Sequence, residues 1–100
     1  MDKRLAAALA SLALVVPAQA ADIAHGGQLY AMHCANCHGP AGQGIFPGTP
    51  KLNRGERMMQ SDLALLDTLR RGKNAMPGYL GVMRDKDLLD VIAYLRTLQR

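Results

Sequence analysis

Both cysteines of the chain, Cys34 and Cys37, and two of its three histidines, His33 and His38, fall within the eight residues HCANCHGP at positions 33–40. Two thiols three residues apart, with an imidazole directly after the second, suit three chemistries: part of a zinc site, a dithiol redox pair or disulfide, or C-x-x-C-H attachment of a covalent haem. Zinc needs about four ligands, and no second cluster follows. His25 is the one other histidine, and nothing in its spacing recommends it. A thioredoxin-like dithiol sits beside a βαβ pattern, which this sequence lacks. Haem fits what is present. Cys34 and Cys37 are about one helical turn apart and can each take one vinyl group of the porphyrin, which leaves His38 under the iron as the proximal ligand.

A second axial ligand would come from a methionine. Beyond residue 20 the methionines are Met32, Met58, Met59, Met76 and Met83. A methionine on a helix face ordinarily fills core space, and Met32 reads as helix packing. Met76 stands apart, because it lies in the Gly/Pro-containing stretch GKNAMPGYLG. Pro77 fixes the backbone after it, and Gly78 permits close approach to a ring. Met76 is therefore the expected distal ligand, with Met59 and Met83 as the alternatives. His25 and His33 read as exposed or locally satisfied side chains.

Three helical stretches must position these groups. Asp22 to about His33 runs into the cysteine motif. Ser61 can cap a second helix with Leu63, Leu65, Leu66 and Leu69 on its apolar side and Gly72 as its stop. Asp85 can cap a third, where Leu88, Val91, Ile92, Leu95 and Leu98 follow helical spacing. Between the first two lies GPAGQGIFPGTPKLNRGER, residues 39–57, with five Gly and three Pro, which reads as a loop. So long a stretch without regular structure is unusual in a compact domain unless it serves a function, such as wrapping a flat cofactor. No strand pair is expected, and the fold class is all-α.

Length and composition narrow the setting. One hundred residues allow one small domain. Lys3 and Arg4 precede an apolar run from Leu5 to Val16 that ends at Pro17, and Ala18-Gln19-Ala20 offers small residues for cleavage. Residues 1–20 thus read as a secretory signal peptide, and the apolar run is too short for a membrane anchor. Residues 21–100 form the domain, with ten Lys/Arg against seven Asp/Glu, a charge of +3. That is far from a nucleic-acid binder's surplus, and no basic stripe with interleaved aromatics is present. A domain this small, with one Phe, three Tyr and no Trp, gains apolar mass from a large cofactor.

Taken together, residues 22–99 resemble a small class I c-type cytochrome of the bacterial periplasmic, monohaem kind. CANCHG resembles the haem-attachment motif. CHGPAGQG followed by PKL resembles the glycine-rich loop with its Pro-x-Leu, here Pro50 and Leu52. AMPGY resembles the distal-ligand loop, and DVIAYLRTL the C-terminal helix. Gly26 and Tyr30 match the small residue and aromatic of the first helix, which meet Val91 and Tyr94 of the last.

The resemblance implies the cytochrome c fold, three main helices with loops wrapped around one haem c bound covalently through Cys34 and Cys37. It implies that the Pro50 carbonyl accepts a hydrogen bond from the far ring nitrogen of His38, that Leu52 packs on the haem, that Asn53 and Arg54 reach a propionate and that Tyr79 packs near the ring edge. The Met76 loop is short, and the long loop of mitochondrial forms is absent. The implied function is periplasmic one-electron transfer by a monomeric carrier, not an enzyme. Its partner would be another redox protein, such as a terminal oxidase or a denitrification reductase. The alternatives are a haem subunit or maturation partner of a larger oxidoreductase, and an open-haem sensor or enzyme if Met76 does not bind iron. With two propionates the charge falls to about +1. Lys51, Arg54, Arg57, Arg70, Arg71 and Lys73 form either an ordinary solvated surface or a basic docking face, while Asp85, Asp87 and Asp90 open the last helix.

Overall fold

The computed structural model describes residues 20–100; the segment read as a signal peptide lies outside them except for Ala20. The first helix, α1, spans Ile23–His33. Asp22 caps it by accepting from the His25 amide at 3.0 Å, which satisfies one of the donors a helix start leaves open. After Cys34 the chain makes one further turn of helix, α2, Ala35–His38, closed by Gly39 at φ +85. The loop expected over residues 39–57 is irregular except for a 3₁₀ turn at Leu52–Arg54. Helix α3 spans Asp62–Arg71 and α4 spans Asp85–Arg96. The only bridge pairings among the described residues are two isolated ones in the segment between α3 and α4.

The caps agree with the sequence reading at α3 and differ at α4. Ser61 accepts from the Ala64 amide at 3.2 Å, and Gly72 ends the helix at φ +79. At α4 the cap position belongs to Arg84, and Asp85 is the first helical residue. Asp87 takes the capping role, accepting from the Arg84 amide at 3.2 Å. Asp85 turns instead to the Arg70 guanidinium, whose Nε donates to it at 2.9 Å, and so links α3 to α4.

Helices α1 and α4 cross at the small residue the sequence offers. A Cβ on Gly26 would stand 2.0 Å from the Asp90 carbonyl oxygen, so only glycine fits. Tyr30 then packs on Tyr94 with ring centroids 5.3 Å apart. Leu88, Val91, Ile92 and Leu95 of α4 are buried with Tyr30, Leu65 and Leu66, and Leu98 packs against them. Two expectations fail on helix geometry. Leu63 and Met32 are 75% and 73% exposed. Each lies two residues, about 200° around its helix, from a buried neighbour (Leu65 and Tyr30), and so faces water.

A buried carboxylate secures the crossing. Asp90, 1% exposed, accepts from the Asp22 amide at 2.8 Å, from His25 Nδ1 at 2.9 Å and from Lys86 Nζ at 3.3 Å. Burial pushes its carboxyl up, but the bonds from His25, the Asp22 amide and Lys86 outweigh that and hold it below the ordinary value. His25 is thus tied to the far helix rather than satisfied locally.

Candidate metal centre

Between these elements lies a cavity of about 550 Å³. It brings together all seven site residues expected from the sequence: Cys34, Cys37, His38, Pro50, Leu52, Met76 and Tyr79. Seven of the ten buried apolar residues, among them Tyr30, Leu52, Leu65, Val91 and Leu95, also line it. The core is therefore built around this space rather than beside it.

The wall that carries Cys34, Cys37 and His38 is held by the glycine-rich loop. The Cys37 carbonyl accepts from the amides of Ile45 and Phe46 at 2.8 and 3.0 Å, and the His38 carbonyl from Gly44 at 2.7 Å. The Tyr30 hydroxyl donates to the Gly39 carbonyl at 2.5 Å, and burial pushes its pKa up to about 12, so it remains a donor. The amides of the loop thus close over the carbonyls at the end of α2, where the helix leaves acceptors open.

The chemistry of Cys34, Cys37 and His38 separates the candidate uses. Burial pushes the Cys34 thiol up to about 11, the reverse of the lowered value that makes a reactive dithiol. Cys34 is partly buried and Cys37 exposed. Among the described residues the one cluster with metal-ligand spacing is His25, Asp87 and Asp90, which contains neither cysteine. The zinc and dithiol readings therefore lose support. Burial lowers the His38 pKa, with the Pro50 carbonyl acting in the opposite direction. The imidazole is thus held neutral, the form that binds a metal. Its Nδ1 is buried and closes no hydrogen bond of normal geometry, so the bond expected to Pro50 is an approach rather than a formed contact. Two neighbouring thiols, a neutral imidazole and a large, mainly apolar cavity fit a haem.

Met76 is presented by a turn that is clamped on both sides. The Lys73 amide donates to the Met76 carbonyl at 3.1 Å, and the Met76 amide to the Lys73 carbonyl at 2.9 Å. Past the turn, the Tyr79 amide reaches the Leu69 carbonyl at 2.9 Å and the Leu80 amide the Arg70 carbonyl at 3.1 Å. The end of α3 and the Met76 loop pack backbone to backbone. A Cβ on Gly72 would stand 2.6 Å from the Met76 carbonyl oxygen, and one on Gly78 would stand 2.6 Å from the Arg70 carbonyl oxygen. Gly78 therefore serves contact with α3 rather than with a ring. The buried Tyr79 donates to the His33 carbonyl at 3.0 Å, which ties the Met76 loop to the residue before Cys34.

Other residues depart from the reading. Met59 is 97% exposed, and Met83, packed against the core, does not line the cavity. Met58 does line it and is buried. Of two adjacent methionines outside a helix, no periodic signal says which one turns inward. Asn53 and Arg54 do not line the cavity, whereas Arg57 and Lys73 do; the buried Asn53 Oδ1 closes no hydrogen bond.

A family model described as cytochrome C oxidase, cbb3-type, subunit III matches residues 21–95. Cytochrome c6 of Thermosynechococcus vestitus is 37% identical over 90% of this chain and 83% of its own length. The chain belongs to the class I c-type cytochromes. Cytochrome c4 of Pseudomonas aeruginosa is likewise 37% identical, over 94% of this cytochrome, which spans 47% of that relative's length. The solved cytochrome c6 of the diatom Phaeodactylum tricornutum superposes with a TM-score of 0.64 at 29% identity, covering 76% of this cytochrome and 92% of that chain. The fold is the cytochrome c fold, and the cofactor is one haem c, for which Cys34 and Cys37 have the attachment spacing. Electron transfer is the chemistry these similarities support.

Proposed function

We propose that this cytochrome is a one-electron carrier whose haem is linked through Cys34 and Cys37 and ligated by His38 and Met76. The observation that carries the reading is that His38 and Met76 line one cavity, each on a backbone turn fixed by hydrogen bonds on both sides. Bound haem would supply the Fe(II)/Fe(III) couple, and with His38 and Met76 both holding its iron it would leave no position for a substrate. The chain itself holds the ligand geometry. The Gly72 and Gly78 contacts and the Tyr79 tie prevent the Met76 loop from swinging, and the glycine-rich loop fixes the turn that bears His38. Rigid ligands keep reorganisation on electron transfer small, and a soft, neutral thioether favours Fe(II).

The same reading places the protein in the periplasm after removal of residues 1–20, as a monomer that meets another redox protein. No helix among the described residues is long and apolar enough to cross a membrane. Of the six central cations, Arg70 and Arg71 pair with Asp85 and Asp67. Lys51, Arg54, Arg57 and Lys73 form no side-chain ion pair among the described residues, and they are the part of the surface that could meet an acidic partner. A terminal oxidase or a denitrification reductase fits as that partner. The matched family's description names an oxidase subunit, which favours, as a second reading, a haem subunit of such a complex. Met76→Ala tests the carrier reading. The iron should then bind carbon monoxide in the reduced state and its potential should fall, while the fold survives. A Met76→Ala spectrum identical to wild type contradicts the assignment.

A further inference from the structure

Met58 faces the same cavity as His38 and Met76, and the chain holds it there by unusual means. It is 4% exposed while its neighbour Met59 is 97% exposed. The residue before it, Arg57, adopts φ +66, a left-handed conformation that a non-glycine residue holds only when its surroundings enforce it. Gln60 Nε2 donates to the Arg57 carbonyl at 2.8 Å, and the residues that follow are held by Arg96, at the end of α4. Its guanidinium donates to the Met58 carbonyl at 2.9 Å, to the Gln60 carbonyl at 2.8 Å, and to Asp62 Oδ1 through Nε at 3.0 Å and Nη2 at 2.8 Å. One side chain thus pins three successive points of the segment 58–62 to the last helix. The planar fork of arginine allows this, whereas a lysine ammonium is a single point charge.

We infer that Met58 is a further haem-contact side chain, kept against the cofactor by Arg96 as a positioning residue, and that its apolar bulk helps set the reduction potential. The inference rests on the haem reading above. Fe(III) carries one more positive charge than Fe(II), and a low-dielectric, water-excluding wall disfavours the more charged state. A polar or displaced residue at 58 should therefore lower the potential without breaking the Met76 ligation. A purely structural Met58 would change stability and leave the potential alone.

The test uses the holoprotein and two readouts, the midpoint potential and the ferric absorption band of methionine–iron ligation. Met58→Leu preserves apolar bulk and should keep both at wild-type values. Met58→Gln preserves length but is polar, and should shift the midpoint downward with the band intact. Arg96→Gln leaves Met58 in the chain but frees its segment, and should shift the midpoint in the same direction. Met59→Gln is the exposed control and should shift nothing. Midpoints for Met58→Gln and Arg96→Gln equal to that of Met59→Gln, with the band intact, overturn this inference and leave the haem reading standing. Loss of the band in Met58→Leu shows Met58 to be the ligand itself, which overturns both this inference and the Met76 assignment.

Discussion

Replacing Gly72 with alanine would drive a methyl group into the backbone that carries Met76. The new Cβ would stand 2.6 Å from the Gly78 amide nitrogen, 2.6 Å from the Met76 carbonyl oxygen and 2.8 Å from the Pro77 carbonyl carbon. Ordinary contact begins near 3.4 Å, so the loop must retreat by about 0.8 Å. All three obstacles are backbone, so no side chain can swing aside to make room. Gly72 also sits at φ +79 and ψ 174, a region essentially reserved for glycine, where an L residue is strained by about 1–3 kcal/mol. Overpacking adds about 1–3 kcal/mol. Gly81 provides a control matched in φ, at +82, with nothing within 4 Å of its Cβ position. Gly81→Ala should therefore cost the strain alone, about 1–3 kcal/mol, and Gly72→Ala about 2–6 kcal/mol. The assay is denaturant unfolding of the ferric holoprotein, followed by far-ultraviolet circular dichroism and by the methionine–iron band. Gly72→Ala should lose part of that band even in native buffer, since the ligand moves with its loop. Equal destabilisation of the two variants, with the band intact in both, would refute the clamp.

Asp90→Asn keeps the shape of the crossing but removes its charge; because His25 and Lys86 are themselves partly exposed, the loss is that of charge-assisted hydrogen bonds, about 1.5–3 kcal/mol. The Asp90 carboxyl is held below its ordinary value of 3.8, so its contribution is complete above that pH and is lost as the pH falls through the lower folded-state value. The stability gap between wild type and Asp90→Asn should therefore narrow as the pH falls below about 4; a gap that does not change over that range counts against the network. Cys34→Ala/Cys37→Ala should leave the chain largely disordered, because seven of the ten buried apolar residues line the haem cavity and would lose their common partner. Cooperative melting of a native-like helical protein without haem would count against this.

What the sequence disclosed and what it hid follow from the range of the interactions involved. The three helices were legible because periodicity and caps are local, as at Ser61 and Gly72. That seven residues named from the sequence would line one cavity was foreseeable because C-x-x-C-H, Pro-x-Leu and the loop methionine are each contiguous motifs. The cap of α4 was misplaced because Asp85 is engaged by Arg70, fifteen residues away. His25 was misplaced for the same reason, since its partner Asp90 is 65 residues distant. Met58 carried no signal at all. Its inward turn depends on a left-handed Arg57 and on the guanidinium of Arg96, and neither conformation nor long-range pairing is written in the local pattern. Gly78 was assigned to the right loop but to the wrong neighbour, because a glycine signals close approach without saying to what.

The central claim is that both axial positions are closed, by His38 and Met76, so that the protein passes electrons and binds no substrate at iron. The most direct measurement is exposure of the reduced wild-type holoprotein to carbon monoxide, followed by absorption spectroscopy. Closed ligation predicts no change in the reduced spectrum over the time in which Met76→Ala converts fully. Rapid formation of a carbon monoxide complex by the wild-type protein would contradict it and make a ligand-binding or enzymatic haem the better account.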